Sequence, residues 1–368
     1  MRSDLIITRI PEHTDEWYAF RKNGIGGSEV GNILLPNPDY DSAIWIFHEK
    51  IGTIPPRKED NEYMFWGRTH EDVIAEMWRY WDGTQDGYIE NYKNKKLIRD
   101  CRNVNGYVVN PKYPWLFASL DRVMNISGGR NLITGDPLTT EGVLECKAMN
   151  QWVAQKWEDG MPIYYLLQIH QYMAIIEADY AEIAILENGN KFRVEKIQRD
   201  DSLCEKIIEI TKSFWFNRIV PAKEAFAKKQ QAEKEGNIYE IEKWDAEINR
   251  YEPDPDKTKA YQDFQNKRYL KERETMEGTL ELFDLCKKDK ILLGVKNIIE
   301  DERTGIANLL IKELTANSAE GIDFGRAGSY SWGERKGSKN RVPLNKIKEK
   351  PSEEVLLNEF KKINLDCY

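Results

Sequence analysis

From about residue 87 to residue 144 the apolar positions fall in short runs, "LIRD", "GYVVNP", "WLFASLDRVM" and "GVLECKA", separated by Asn, Gly and Pro, which predicts a meander of short strands. On both sides the apolar spacing turns helical. Residues 12–22, "EHTDEWYAFRK", predict a short amphipathic helix. The turn "NGIGGS" follows, then a helix over residues 28–35 with Ser28 as a good N-cap, ended by "PNPDYD". Another helix is predicted over residues 41–50. The two prolines of "IGTIPPRKEDN" mark a loop, and "EYMFWGRTHEDVIAEMWRYWDG" reads as a helix with Met77, Trp78 and Trp81 on its apolar side and Glu71 near its first turns.

After the strands, "PIYYLLQIHQYMAIIE" is apolar enough to be a buried helix. "AEIAILENGNKFRVEKI" predicts a hairpin around Asn188 and Gly189, and "SLCEKIIEITKSFWFNRIV" a further amphipathic helix. The order helix, strand meander, helix, strands, helix predicts an α/β or α+β core. Composition shifts after Pro221 to a charged, helix-prone stretch broken by "EPDPDK", which sets an expected division at 1–225 and 226–368. The second part is expected to be mainly helical and to end in a short basic hairpin, "GIDFGRAGSYSWGERKGSKNRVPL".

In "EGVLECKAMN" strand alternation puts Val143, Glu145 and Lys147 on one face and Leu144, Cys146 and Ala148 on the other. Two opposite charges side by side on a strand need a reason. Upstream, Asp121 likewise interrupts the apolar strand of "WLFASLDRVM". Carboxylates on neighbouring strands make an oxygen-ligand site suited to Mg²⁺, which prefers about six oxygens. Lys147, one pleat from Glu145, would then act on the attacking water or on developing phosphate charge. An isolated Glu-x-Lys is more often a solvent-facing salt bridge, so the surrounding motifs decide between the two readings.

Composition narrows the classes. The chain has 368 residues, 40% hydrophobic and 32% charged, and no apolar run approaches the roughly 18 residues of a membrane span. Its start lacks an apolar core with a small-residue cleavage site, so the expected setting is cytoplasmic. Five scattered cysteines without CxxC spacing, and four histidines without HExxH spacing, exclude a disulfide framework and a histidine-rich metal site. His70 and His170 are expected to pack rather than to bind metal. The net charge of −8 argues against coating nucleic acid through the whole surface, but not against a local basic groove. "GIGGSEVG" lacks GxGxxG spacing and a Walker lysine and follows a helix, so it is not read as a nucleotide loop.

"SLD" followed by "LECK" resembles the D…ExK pattern of the restriction-endonuclease-like nuclease superfamily, and "QIHQY" matches the QxxxY element of its exonuclease branches. "EWYAFRKNGIGGSEVGNIL" and "FWGRTHEDVIAEMW" extend the match to the YqaJ-type viral recombinase family, which includes the phage lambda-type exonucleases. The resemblance spans roughly residues 12–221, with the motifs in the family's order.

This resemblance implies a restriction-endonuclease-like α/β core with a central mixed sheet flanked by helices. It implies that Asp121 and Glu145 are metal ligands joined by the Cys146 carbonyl, that Lys147 is the catalytic lysine, and that Glu71 is the helix-borne glutamate beside the metals. Arg21, Ser28 and Ser119 match positions that hold a terminal 5′-phosphate, Trp17 would support that pocket, and Gln168 with Tyr172 would close the helical side. The implied activity is Mg²⁺-dependent 5′→3′ exonuclease action on double-stranded DNA ends in phage or prophage recombination, with Mn²⁺ as a substitute metal. A single-strand annealing protein as partner and a ring-like homo-oligomer follow from the same resemblance. The alternatives are an endonuclease of restriction or repair type on the same fold, and a non-catalytic DNA-binding phage protein. Retention of Asp121, Glu145 and Lys147 together argues against the last.

Overall fold

A computed structural model describes the chain apart from residues 1–2, 12–13, 36–40, 57–60, 85–86, 156, 158–159, 269–275, 325–326, 335–340, 346–351, 353–354, 357 and 359–368. The chain divides into two units, residues 1–270 and 271–368. The first opens with β1 (Ile6–Thr8), α1 (Asp15–Arg21), β2 (Ile25–Gly26), α2 (Gly27–Leu34), α3 (Ala43–Ile51), α4 (Glu62–Tyr80) and α5 (Gly87–Lys93). The strands β3 (Cys101–Arg102), β4 (Tyr107–Val109), β5 (Leu116–Ser119), β6 (Arg122–Met124) and β7 (Gly142–Met149) follow. Then come α6 (Gln151–Gln155), α7 (Ile163–Ile176), β8 (Tyr180–Glu187), β9 (Lys191–Gln198) and α8 (Asp201–Phe214). A π-helical turn, Trp215–Ile219, leads into α9 (Val220–Glu235), α10 (Ile238–Arg250) and α11 (Lys259–Arg268).

The main sheet has the order β3-β6-β7-β8-β9, with β7 and β8 parallel and the other pairs antiparallel. A parallel pair needs a long crossover, and α6 with α7 supplies it. Both faces of β7 and β8 are covered. Val143, Ile183 and Ile185 meet Ile169 and Met173 of α7 in one apolar cluster, while Leu144, Cys146 and Ala184 meet Ile74 and Trp78 of α4 in another. Each fully buried aliphatic side chain here contributes about 1.5–3 kcal/mol. A second sheet, β1-β4-β5-β2, lies beside the first and receives α7 against β5. The hairpin β8–β9 turns at Asn188 and Gly189, both at positive φ (52° and 74°), as the Asn-Gly pair predicts.

This is the mixed α/β core, flanked by helices, that the sequence predicts, but several local expectations change. Residues 87–93, the start of the stretch expected to hold short strands, form α5, with Tyr88 against Phe192 and Tyr92 against Tyr80. "LIRD" forms no strand; β3 begins only at Cys101. "WLFASLDRVM" is two strands, with Asp121 at the bend between β5 and β6. Ser28 is not a cap: Gly26 holds that position, and its N–H donates to Glu29 Oε2 at 2.7 Å. Glu71 lies in the middle of α4, far from the first turn where a helix dipole favours an acid. The division expected near 225 falls inside α9. There Ala222 and Ala225 join the main apolar cluster and α10 adds Ile248, so the first unit continues to residue 270. Glu12 and His13 of the first predicted helix, and most of "PNPDYD", lie outside the described residues.

The second unit consists of α12 (Leu280–Ala316), capped by the Thr279 side chain, and a sheet of β10 (Gly321–Asp323), β11 (Ser329–Glu334) and β12 (Arg341–Asn345), antiparallel throughout. Leu314 and Tyr330 are its buried side chains among the described residues. The sheet's β11–β12 pair is the hairpin expected at the basic end, and its turn lies outside the described residues.

Candidate active site

β7 carries Glu145 into the α7 side of the sheet, where it is 2% exposed. The Lys147 ammonium, one pleat on, donates to Glu145 Oε1 at 2.6 Å, and Gln168 Nε2 of α7 donates to the same oxygen at 3.0 Å. Gln168 also donates to the Tyr172 hydroxyl at 3.1 Å, one helical turn along. Asp121 reaches across from the β5–β6 bend, its Oδ2 accepting from the Cys146 N–H at 2.8 Å. Glu71 projects from α4 and is met by Arg122, which also pairs with Asp72. The Glu145–Lys147 salt bridge exists, but with the carboxylate buried and the lysine half-buried beside Asp121 and Gln168 rather than on a solvent-facing strand.

Burial, followed by the nearby Asp121 charge, pushes the carboxyls of both Glu71 and Glu145 up to about 7. Burial works against the Lys147 ammonium, yet Glu145 and Asp121 outweigh it and raise its pKa, so the lysine keeps its proton. Burial and the Glu145 charge likewise raise Tyr172. Three acids that disfavour one another's ionisation are a set that a cation would relieve. Among the described residues no group of three or more His, Cys, Asp and Glu stands arranged around a metal position. Instead the acids rest on Arg122, the Cys146 N–H and Lys147. One oxygen, Glu145 Oε2, is buried with no hydrogen-bond partner. An all-oxygen donor set with an orphaned carboxylate oxygen fits a hard divalent cation.

Beside the acids is a cavity of about 530 Å³ lined by Glu71, Asp121, Ser119, Arg9, Asn103 and Tyr107. A separate cavity of about 380 Å³ is lined by Trp17, Arg21, Ser28, Glu29 and Arg68, among others. The expected phosphate-holding residues thus split: Arg21, Ser28 and Trp17 share one cavity, while Ser119 lines the other. Tyr107 links them, because it lies opposite Ser119 in the β4–β5 ladder and acts on the Arg21 guanidinium. Arg21 packs over the rings of Trp17 and Phe117, at 4.9 and 5.6 Å from their centroids.

Below Arg21 lies a group that motif reading missed. Lys50 of α3 is fully buried and donates to both oxygens of Glu29, at 2.7 and 2.9 Å, and to the Arg21 carbonyl at 2.7 Å. Against the desolvation of burial, Lys50 first and Arg21 second hold Glu29 below its usual range. A signal was present: Lys50 falls at helical spacing on the same face as Ile46, Phe47 and Ile51, an apolar stripe where a lysine demands a partner. Arg122, adjacent to Asp121 in sequence, was missed as well. Gln171, by contrast, is structural, its amide donating to the carbonyls of Ile25 and Phe117 at 3.1 and 3.2 Å. His170 bridges the Leu166 carbonyl and the Asp200 N–H, and His70 meets the Trp66 carbonyl, so both histidines are taken up by main chain.

Two glycines bring α2 hard against α7. A Cβ on Gly27 would meet the Tyr172 ring at 2.4 Å, and one on Gly31 the Tyr164 ring at 2.3 Å. α2 and α7, the helix that carries Gln168, therefore touch with nothing between them.

The mixed α/β core thus gathers Glu71, Asp121, Glu145 and Lys147 from α4, the β5–β6 bend and β7. Residues 16–180 match the model of the YqaJ-like viral recombinase domain. It is 27% identical over 249 residues, covering 64% of this chain and 69% of the relative, to the uncharacterised protein YqaJ of Bacillus subtilis. Among solved structures it is similar to an alkaline exonuclease from Laribacter hongkongensis, with 20% identity, TM-score 0.45, and 60% of this chain and 99% of the other covered. A phage-related exonuclease from Haemophilus somnus shows 13% identity and TM-score 0.33, over 52% of this chain and 91% of the other.

Proposed function

We propose that this chain is a Mg²⁺-dependent 5′→3′ exonuclease acting on linear double-stranded DNA in phage or prophage recombination, with Mn²⁺ able to substitute. The observation that carries the reading is buried Glu145, one of its oxygens unpartnered, with half-buried Glu71 and Asp121 acting on its charge and the Lys147 ammonium at 2.6 Å. Asp121, Glu145 and the Cys146 carbonyl would hold the ion, with Glu71 beside it. A bound divalent cation supplies a Lewis acid that offsets phosphate charge and makes water a better nucleophile.

The chain's own groups do the rest. Lys147 stays an ammonium between two carboxylates, so its work is to orient the attacking water and meet the charge that builds on the phosphate, rather than to accept a proton. Gln168 fixes the carboxylate plane of Glu145 through its 3.0 Å bond, and Tyr172 fixes Gln168 in turn. Arg21 grips the terminal 5′-phosphate, Ser28 adds a neutral donor and Trp17 backs the guanidinium. Ser119 lies on the acid side, next to the phosphodiester to be cut.

Cytoplasmic action, a single-strand annealing partner and a ring-like homo-oligomer belong to the same reading. Among the described residues no helix is long and apolar enough to cross a membrane. The test is digestion of end-labelled linear duplex bearing 5′-phosphate or 5′-hydroxyl ends, with Mg²⁺ and with EDTA, alongside a covalently closed circle. Release of 5′ label only with metal, and an intact circle, are the expected results. Cutting of the circle would replace this reading with an endonuclease.

A further inference from the structure

The cavity that holds Arg21 poses a problem of charge. Its lining includes the guanidiniums of Arg21 and Arg68 but also three carboxylates, Glu29, Asp41 and Glu49, so taken alone it would repel a phosphate. Glu29 forms an ion pair with Arg21, with 3.5 Å between Nη2 and Oε1. A carboxylate at that distance competes directly with any incoming anion for the guanidinium. Lys50 alters the competition from beneath. It is not part of the lining; its side chain has no exposure, and it takes both oxygens of Glu29 at shorter range than Arg21 takes one.

We infer that Lys50 is a positioning residue of the terminal-phosphate pocket: by occupying Glu29 it leaves the Arg21 guanidinium open to an anion, and through the Arg21 carbonyl it fixes where that guanidinium starts. The inference rests on the reading of this cavity as a 5′-phosphate pocket. Glu29 has its own reason to be there, since its Oε2 also accepts from the Gly26 N–H and so anchors the start of α2. The α2 anchor therefore brings an acid into an anion pocket, and Lys50 is the counter-charge that makes this tolerable. A pocket built from Arg21 alone would not need a lysine that no solvent reaches.

The test compares rates on 5′-phosphorylated and 5′-hydroxyl duplex ends, at one salt concentration, for the parent, Lys50→Met and the pair Glu29→Gln/Lys50→Met. In Lys50→Met the stranded Glu29 captures Arg21, and the preference for the phosphorylated end falls about tenfold, on the scale of one charge-assisted hydrogen bond. In the double variant the acid is gone too, and the preference returns to within about twofold of the parent, the interaction between the two sites being what such a cycle isolates. A merely structural lysine would lower both rates together and leave their ratio alone. Lys50→Met with the parent's ratio overturns the inference. So does a folded double variant that has lost the preference, which decides the matter even if Lys50→Met alone does not fold. A parent with no preference between the two ends removes the pocket reading itself, and is seen before any variant is made.

Discussion

Lys147 meets one oxygen of Glu145 at 2.6 Å, while the other oxygen of the same carboxylate lies buried with no hydrogen-bond partner. Half-satisfied buried acids are costly to a fold, and this one, beside two further acids, is where the proposed cation would be held.

Glu145→Gln is expected to lower turnover on linear duplex by about 10²–10³-fold. The melting temperature in EDTA should stay level or rise, because a neutral amide relieves the repulsion from Asp121. Cleavage assays paired with thermal unfolding check both halves. A variant that melts far below the parent yet cuts normally would make Glu145 a structural acid.

Metal-free stability should fall as the pH rises. Glu71 and Glu145 each move from an ordinary 4.5 to about 7 on folding, so the native state holds protons that the unfolded chain has released. Their contribution is complete below about 4.5 and is lost as the pH climbs through about 7. Melting in EDTA from pH 5 to 8 should show this decline, flattened in Glu145→Gln and offset at pH 7 by a divalent cation. A flat parent profile would mean that the acids do not share one site.

Gln168→Leu is expected to reduce activity or metal affinity by about 10–100-fold, the usual cost of losing a group that orients a ligand. Fold and DNA binding should survive. Activity titrated against Mg²⁺ separates the two effects, and an unchanged curve would reduce the Glu145–Gln168 bond to packing.

On the far side of the sheet, Glu182 is fully buried and takes hydrogen bonds from Trp78, Tyr180 and, through two nitrogens, Arg99. Glu182→Leu strands the Arg99 charge and should cost about 3–5 kcal/mol of unfolding free energy. Activity per folded molecule should not change. Urea unfolding measures the loss, and a cost under about 1 kcal/mol would put the network in the class of surface pairs.

The strands and helices with strong periodicity could be read from the sequence: β7 through the alternation of Val143, Glu145 and Lys147, α7 through its apolar length, and the β8–β9 turn through Asn188 and Gly189. Glu145 and Lys147 stood out because charges inside an apolar strand break a rule, whereas Asp121 lies at a bend and Glu71 in a helix. What stayed hidden depended on distant partners. No local pattern says that Lys50 will meet Glu29 across 21 positions, that Arg122 will seize Glu71, or that Tyr88 will find Phe192 and hold residues 87–93 as a helix. Nor does spacing reveal that Ser119 opens on a different cavity from Ser28.

The bare contact of Gly27 and Gly31 with the rings of Tyr172 and Tyr164 gives the proposed enzyme a gauge block. With Ser28 carried on one helix and Gln168 on the other, the distance between the proposed phosphate pocket and the proposed cutting groups is set by how closely two helices can approach. Any side chain added at those glycines would lengthen the gauge and displace the one set of groups from the other.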